Sequence, residues 1–108
     1  MERCLFFMER EDLQVEIKAR FEDEKLVIDG YDIGKFVEQY WGDSDYEYMM
    51  TLPPESVAQL YKVLHVEEGN KELLLDVLAE AFETNECFSE IKDLLTKNDI
   101  HYEHFSWT

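Results

Sequence analysis

The strictest alternation of apolar and polar side chains lies between residues 13 and 22. Every odd position from 13 to 21 is apolar and every even position is polar, which is the pattern of a β-strand with one buried face. Charged stretches at residues 9–12 and 22–25 flank this strand and separate it from two further apolar runs, residues 4–8 and 26–28. We therefore expect three antiparallel strands in the first 28 residues.

A helical spacing of apolar residues follows the third strand. We expect the turn residues Asp29 and Gly30 to close that strand, and Asp32 can cap the helix that comes next. The apolar stripe of this short helix consists of Ile33, Phe36, Val37 and Tyr40. Gly42 then ends the helical pattern.

Three more apolar stripes predict helices in the second half of the chain. One starts at Pro53 and Pro54, because proline fits the first turn of a helix. A second spans residues 71–82, and a third follows residues 84–85. Their apolar members are Val57, Leu60, Tyr61 and Leu64 in the first, Leu73, Leu74, Val77, Leu78, Ala81 and Phe82 in the second, and Phe88, Ile91, Leu94 and Leu95 in the third.

Two remaining segments predict strands. Apolar residues alternate along residues 46–52, and residues 100–107 are rich in β-forming side chains. The order of strands, helix, strand, three helices and strand is typical of an α+β protein. We expect one domain, residues 1–108, with a mostly antiparallel sheet of about five strands and about four helices packed on one face.

The charge of the chain narrows its function. Against 26 Asp and Glu residues stand 10 Lys and Arg, which gives a net charge of −16. A protein that binds DNA or RNA directly needs a surface that neutralises phosphates, and this chain lacks the cations for one. Anionic membranes are disfavoured for the same reason, and no apolar run approaches the roughly 20 residues that span a bilayer. The partner predicted by this charge is a basic protein.

The two cysteines and the first residues bear on the compartment. Cys4 and Cys87 form no CxxC motif and have apolar neighbours, which predicts reduced, packed thiols. The first five apolar residues in a row follow Glu2 and Arg3 and lead to no small-residue cleavage site, so no secretory signal is predicted. We expect a cytoplasmic protein.

Catalytic, cofactor and metal signatures are weak in this sequence. No GxSxG, GxGxxG or P-loop motif occurs, so we expect no nucleotide cofactor. His101 and His104 would point to opposite faces of the strand predicted there, which argues against a metal site. Asp43 and Asp45 form the most enzyme-like cluster, since neighbouring aromatic rings can desolvate one carboxylate and stack a sugar. The same residues also fit a polar loop, and we expect no enzyme activity.

Residues 40–48 combine large aromatic side chains with acids more densely than any other segment. Tyr and Trp dominate the hot spots of protein interfaces, and adjacent acids can pair with the Lys or Arg of a partner. An alternative interpretation is that the tyrosines face the core while the acids face water. The predicted partner-binding residues are Trp41, Asp43, Asp45, Tyr46, Glu47 and Tyr48.

Three runs carry a family resemblance: LVIDGYDIG at 26–34, WGDSDYEY at 41–48 and IHYEHFSW at 100–107. Together they resemble the small bacterial immunity proteins of polymorphic toxin and contact-dependent inhibition systems. The resemblance implies a small, acidic cytosolic protein that binds and blocks a toxin domain, often a basic nuclease. It implies no role for any individual residue.

The expected function is therefore that of an immunity protein. Such a protein would occlude the active site of a cognate basic toxin domain with an acidic, aromatic-rich surface. Two alternatives stay open on the sequence: a nucleic-acid mimic that inhibits DNA-binding proteins, and an acidic adaptor subunit of a larger assembly. A mimic would compete with DNA for several unrelated proteins, whereas an immunity protein would bind only its cognate partner.

Overall fold

The computed structural model describes residues 1–11, 13–34, 45–82, 84 and 86–107, with Asp45 and Trp107 described through their backbone. These residues form an α+β domain with five strands and three helices. In chain order the elements are β1 (Glu2–Arg10), β2 (Leu13–Glu22), β3 (Lys25–Gly34), β4 (Asp45–Leu52), α1 (Pro54–Val63), α2 (Lys71–Ala81), α3 (Cys87–Lys97) and β5 (Glu103–Trp107).

The five strands form one antiparallel sheet in which spatial order follows chain order, from β1 to β5. The first four strands form a meander, and all three helices lie in the connection from β4 to β5. The predicted α+β class and the five-stranded antiparallel sheet are confirmed. The helix count differs, since the described part of the chain contains three helices instead of about four.

The predicted end of the third strand is wrong. Instead of turning at Asp29 and Gly30, β3 continues to Gly34 and pairs with β2 and β4 over its length. Ile33 and the expected helix cap Asp32 therefore belong to this strand. The other residues of the predicted helix, from 35 onwards, lie outside the described residues.

Gly30 lies inside the strand because a ring needs its space. It pairs with Tyr48 of β4, and a Cβ atom added at Gly30 would overlap the ring of that tyrosine. A glycine inside a strand often marks such a close approach. In the sequence alone, however, Asp29 followed by Gly30 looks the same as a turn.

The hydrophobic core lies between the sheet and the helices. Along β2 the odd positions Val15, Ile17 and Ala19 are buried, as the alternation predicts, while the even positions are partly exposed. The side of the sheet that carries these buried residues is the helix side. Its fully buried partners from the other strands and helices are Leu26, Ile28, Met50, Leu52, Leu60, Leu74, Leu78, Ile91 and Leu95.

Local sequence explains how two of the three described helices begin. Pro54 occupies the first turn of α1, where a missing N–H costs no hydrogen bond. Asn70 caps α2, and its side-chain oxygen accepts a hydrogen bond from the Leu73 N–H at 3.2 Å. None of the helices in the described ranges is long and apolar enough to cross a membrane.

Candidate functional sites on the two sides of the sheet

The side of the sheet opposite the helices is the open face. It carries the even positions of β2 and the residues that pair with them across the sheet. Among the side chains that the structure describes on this face, two large apolar ones are exposed, Phe7 on β1 (51%) and Phe105 on β5 (54%). An outward sheet face is normally polar, so exposed aromatic residues on it indicate an interaction surface.

A row of alternating aromatic and acidic residues crosses the open face. Phe7 pairs with Glu16, Glu16 with Tyr31, and Tyr31 with Glu47. Directly paired residues of neighbouring strands share a face and lie close enough for their side chains to interact. We call Phe7, Glu16, Tyr31 and Glu47 the aromatic–acid row.

A groove of about 410 Å³ lies along this row, and its basic residues are held by acids of the same chain. In the groove, the Arg20 Nη1 lies 2.6 Å from the Asp29 Oδ2, and the Arg20 Nε lies 3.1 Å from the Glu22 Oε1. The Lys18 Nζ lies 3.4 Å from the Glu16 Oε1. Lys18 and Arg20, the two basic residues that line the groove, are therefore neutralised within the fold.

The structure separates the partner-binding residues that the sequence predicted. Glu47 belongs to the open face, whereas Tyr46 and Tyr48 lie on the helix side, since they pair with Asp32 and Gly30. Asp45 begins β4, and Trp41 and Asp43 lie outside the described residues.

The other members of the row could not be found by reading the segment 40–48. Phe7, Glu16 and Tyr31 come from three different strands and meet Glu47 only through the register of the sheet. The sequence signal for Tyr31 is an aromatic residue at an outward position of a strand. This signal can be recognised only if β3 is known to extend past Gly30.

A second candidate site is a cavity on the helix side, next to α3. Its volume is about 310 Å³, and we call it the helix-side cavity. It is lined by Asp32, Tyr46, Tyr48, Phe88, Ser89, Lys92 and His104. This volume is at the lower end of the range for small-molecule sites, roughly 300–1,000 Å³.

Ring contacts and a hydrogen bond between Tyr48 and Asp32 order the walls of the helix-side cavity. Tyr48 donates its hydroxyl proton to the Asp32 Oδ1 over 2.8 Å. The Tyr48 ring packs edge-on against Phe88, with centroids 4.8 Å apart, and lies 5.5 Å from the Tyr46 ring. The Phe88 ring centroid lies 5.7 Å from that of His104.

Burial shifts the pKa values of three side chains that line the cavity. It raises the pKa of Asp32, while the hydrogen bond from Tyr48 opposes this shift. The pKa of Tyr48 is also raised by burial and by the nearby Asp32 carboxylate, so the tyrosine stays protonated and remains a donor. Burial and the charge of Lys92 lower the pKa of His104, which favours the neutral imidazole at pH 7.

The substitution Asp32→Asn should raise the free energy of unfolding at pH 7. The pKa of Asp32 is higher in the folded state than in the unfolded state, where it is about 4. The stability that this group contributes is therefore lost as the pH rises from the unfolded-state pKa through the folded-state pKa. The amide removes that loss and can still accept from Tyr48. Urea denaturation should therefore show a gain at pH 7 and none at pH 3, where the carboxyl is protonated in both states.

Glu47→Gln is the matched control, since it removes the same charge from the open face. An equal gain from both variants would mean that relief of overall repulsion, and not the burial of Asp32, causes the effect.

The described residues offer neither a cluster of metal ligands nor an activated thiol. Among the described residues, no group of three or more His, Cys, Asp or Glu side chains is arranged to hold a metal ion. Cys87 is buried, and burial raises the pKa of its thiol to about 12, which makes it a poor nucleophile. Cys4 is exposed, so the prediction that both thiols are packed is wrong for this residue.

Comparisons with family models, curated proteins and solved structures found no match to this chain. Function is therefore inferred from the chemistry of the two sites.

Proposed function

We propose that this protein is an immunity-type inhibitor that binds a basic protein partner, a toxin domain, through the open face of its sheet. The aromatic–acid row is the observation that supports this proposal. The inhibitor needs no chemistry of its own, because covering the active site of the toxin suffices. It would act in the cytoplasm, where the toxin reaches its substrate.

The charge of the folded surface favours a basic partner. The chain has a net charge of −16, and among the described residues Arg3, Lys18, Arg20 and Lys71 already form ion pairs with carboxylates of the same chain. The excess carboxylates repel one another in the folded state, and a cationic partner would relieve this repulsion. The same field accelerates association with a cationic partner.

The row supplies both elements of a binding hot spot. Aromatic side chains provide a large contact area at low entropic cost, and the acids beside them can form charge-assisted hydrogen bonds with Lys or Arg. On the open face these pairings can form without disturbing the core, which lies on the other side of the sheet.

The first test is copurification of the tagged chain, expressed beside its neighbouring genes. The proposal expects one basic protein that is toxic alone and harmless when this chain is present. Recovery of several unrelated DNA-binding proteins that DNA displaces would favour the nucleic-acid mimic instead. A stable multicomponent assembly without toxicity would favour the adaptor.

The double substitution Glu16→Gln and Glu47→Gln should slow association with that partner about three- to tenfold at low salt. It should also flatten the dependence of the association rate on salt, because the acids nearest the docking site contribute most to steering. Stopped-flow or surface-based kinetics at several salt concentrations measure both quantities.

The charge-matched control is the pair Glu67→Gln and Glu80→Gln, two exposed acids of the helical layer and its connections. If both pairs slow association equally, the partner responds to the net charge of the chain and the open face is not the docking surface.

A further inference from the structure

The helix-side cavity contains a carboxylate without a cationic partner. Asp32 is partly buried, and it accepts a hydrogen bond from the Tyr48 hydroxyl, which carries no charge. Among the residues that the structure describes, no Lys or Arg forms an ion pair with it. Removing a carboxylate from water without a counter-charge is unfavourable. A cation that binds beside Asp32 would supply this missing counter-charge and would be attracted by the carboxylate.

Three aromatic residues line the same cavity as Asp32. Tyr46, Tyr48 and Phe88 all line the cavity, and their rings form a continuous chain of contacts at 5.5 and 4.8 Å. The face of an aromatic ring attracts an ammonium or guanidinium group within about 6 Å. A carboxylate beside several aromatic rings is therefore suited to an organic cation, because the charge is paired while the alkyl groups contact apolar surface.

Lys92 also lines the cavity. Its charge lowers the pKa of His104, whereas the causes that shift the pKa of Asp32 are burial and the Tyr48 hydroxyl. Among the lining residues, Asp32 carries a carboxylate and Lys92 an ammonium group. A cationic ligand would therefore place its charged group against the Asp32 carboxylate.

We propose that the helix-side cavity binds a small organic cation, a primary ammonium or guanidinium compound, between the Asp32 carboxylate and the rings of Tyr46, Tyr48 and Phe88. This site is independent of the proposed inhibitor function, because it lies on the opposite side of the sheet from the aromatic–acid row. It can therefore fail or succeed whatever partner the open face binds.

The test is a titration with n-butylammonium chloride followed by amide chemical shifts of the isotopically labelled protein. The expected result is saturable binding in the millimolar range, with the largest shifts in β3, β4 and α3 around the cavity. n-Butanol has the same alkyl chain without the charge and should bind at least about tenfold more weakly. Equal binding of the alcohol would show an apolar pocket and overturn the proposal.

Two variants with the same net charge separate local binding from general attraction to an acidic protein. Asp32→Asn should weaken n-butylammonium binding about tenfold or more, whereas Glu47→Gln should change it less than about twofold. Equal weakening in both, or shifts that map outside the cavity, would also overturn the proposal.

A measurement on the unmodified protein guards against misfolding of the variant. Carboxyl chemical shifts of Asp32 followed through a pH titration should show a lower pKa with n-butylammonium than without it, because a bound cation favours the ionised form. An unchanged titration would contradict direct contact between the cation and this carboxylate.

Discussion

Substitution of Gly30 by alanine is expected to lower the free energy of unfolding by about 2–4 kcal/mol. A Cβ atom at this position overlaps the Tyr48 ring, which is also held by Phe88 and by its hydrogen bond to Asp32. The ring cannot move aside without losing both interactions. Urea denaturation at pH 7 measures the loss, and the near-ultraviolet circular dichroism should report the displaced tyrosine.

Gly69→Ala distinguishes crowding from backbone strain. Gly69 has a φ of +93°, but apart from its two chain neighbours no heavy atom of the described residues lies within 4 Å of the position that its Cβ would occupy. Its substitution should cost about 1 kcal/mol through conformation alone. If Gly30→Ala costs no more than this, the close approach of the Tyr48 ring is not what selects glycine in β3.

A double-mutant cycle tests the same contact directly. Because alanine at Gly30 would already displace the ring, Tyr48→Ala should cost less in that background than in the wild-type chain. The coupling should exceed about 1 kcal/mol, whereas independent sites would give additive losses.

The sequence predicts those helices and strands of this fold that bury one face. The alternation along β2 and the apolar stripes of α1, α2 and α3 follow directly from the contact with a single core, so the local pattern predicts them. The end of β3 is not readable in this way. Asp29 and Gly30 form a turn sequence, and the tyrosine that requires the glycine lies 18 positions further along the chain.

The aromatic–acid row depends on register, which a single strand does not encode. In β1 the pairing with β2 shifts between Cys4 and Phe6, and this irregularity decides which residues of the apolar run face outwards. The run itself has no alternation, so the outward position of Phe7 cannot be derived from it. The sequence did single out Glu47, but it grouped this acid with neighbours in the chain instead of neighbours in the sheet.

The two sides of the sheet divide the chemistry of residues 46–48. Tyr46 and Tyr48 contribute rings to the helix-side cavity, and Glu47 between them contributes a carboxylate to the open face. Strand geometry requires this separation, because successive side chains point to opposite faces. Variants at these three positions should therefore affect two different properties, and a test of partner binding needs residues from the open face alone.

Tyr31→Ala should weaken binding of the proposed basic partner by about 2 kcal/mol or more, about 30-fold in Kd. Tyr31 is the aromatic residue of the row that pairs with both acids, Glu16 on one side and Glu47 on the other, so its removal deletes the anchor between them. Most of the loss should appear as faster dissociation, since the charges that steer association remain. Binding kinetics with the purified partner measure both rates.

Tyr31→Phe and the unfolding free energy of each variant complete this test. The phenylalanine variant retains the ring and should bind within about threefold of the wild type if contact area dominates. Tyr31 lies on the open face, away from the core between sheet and helices, so the alanine variant should remain folded. A folded alanine variant that binds as tightly as the wild type would remove the open face from the inhibitor proposal. The copurified partner would then have to dock on another acidic surface of the chain.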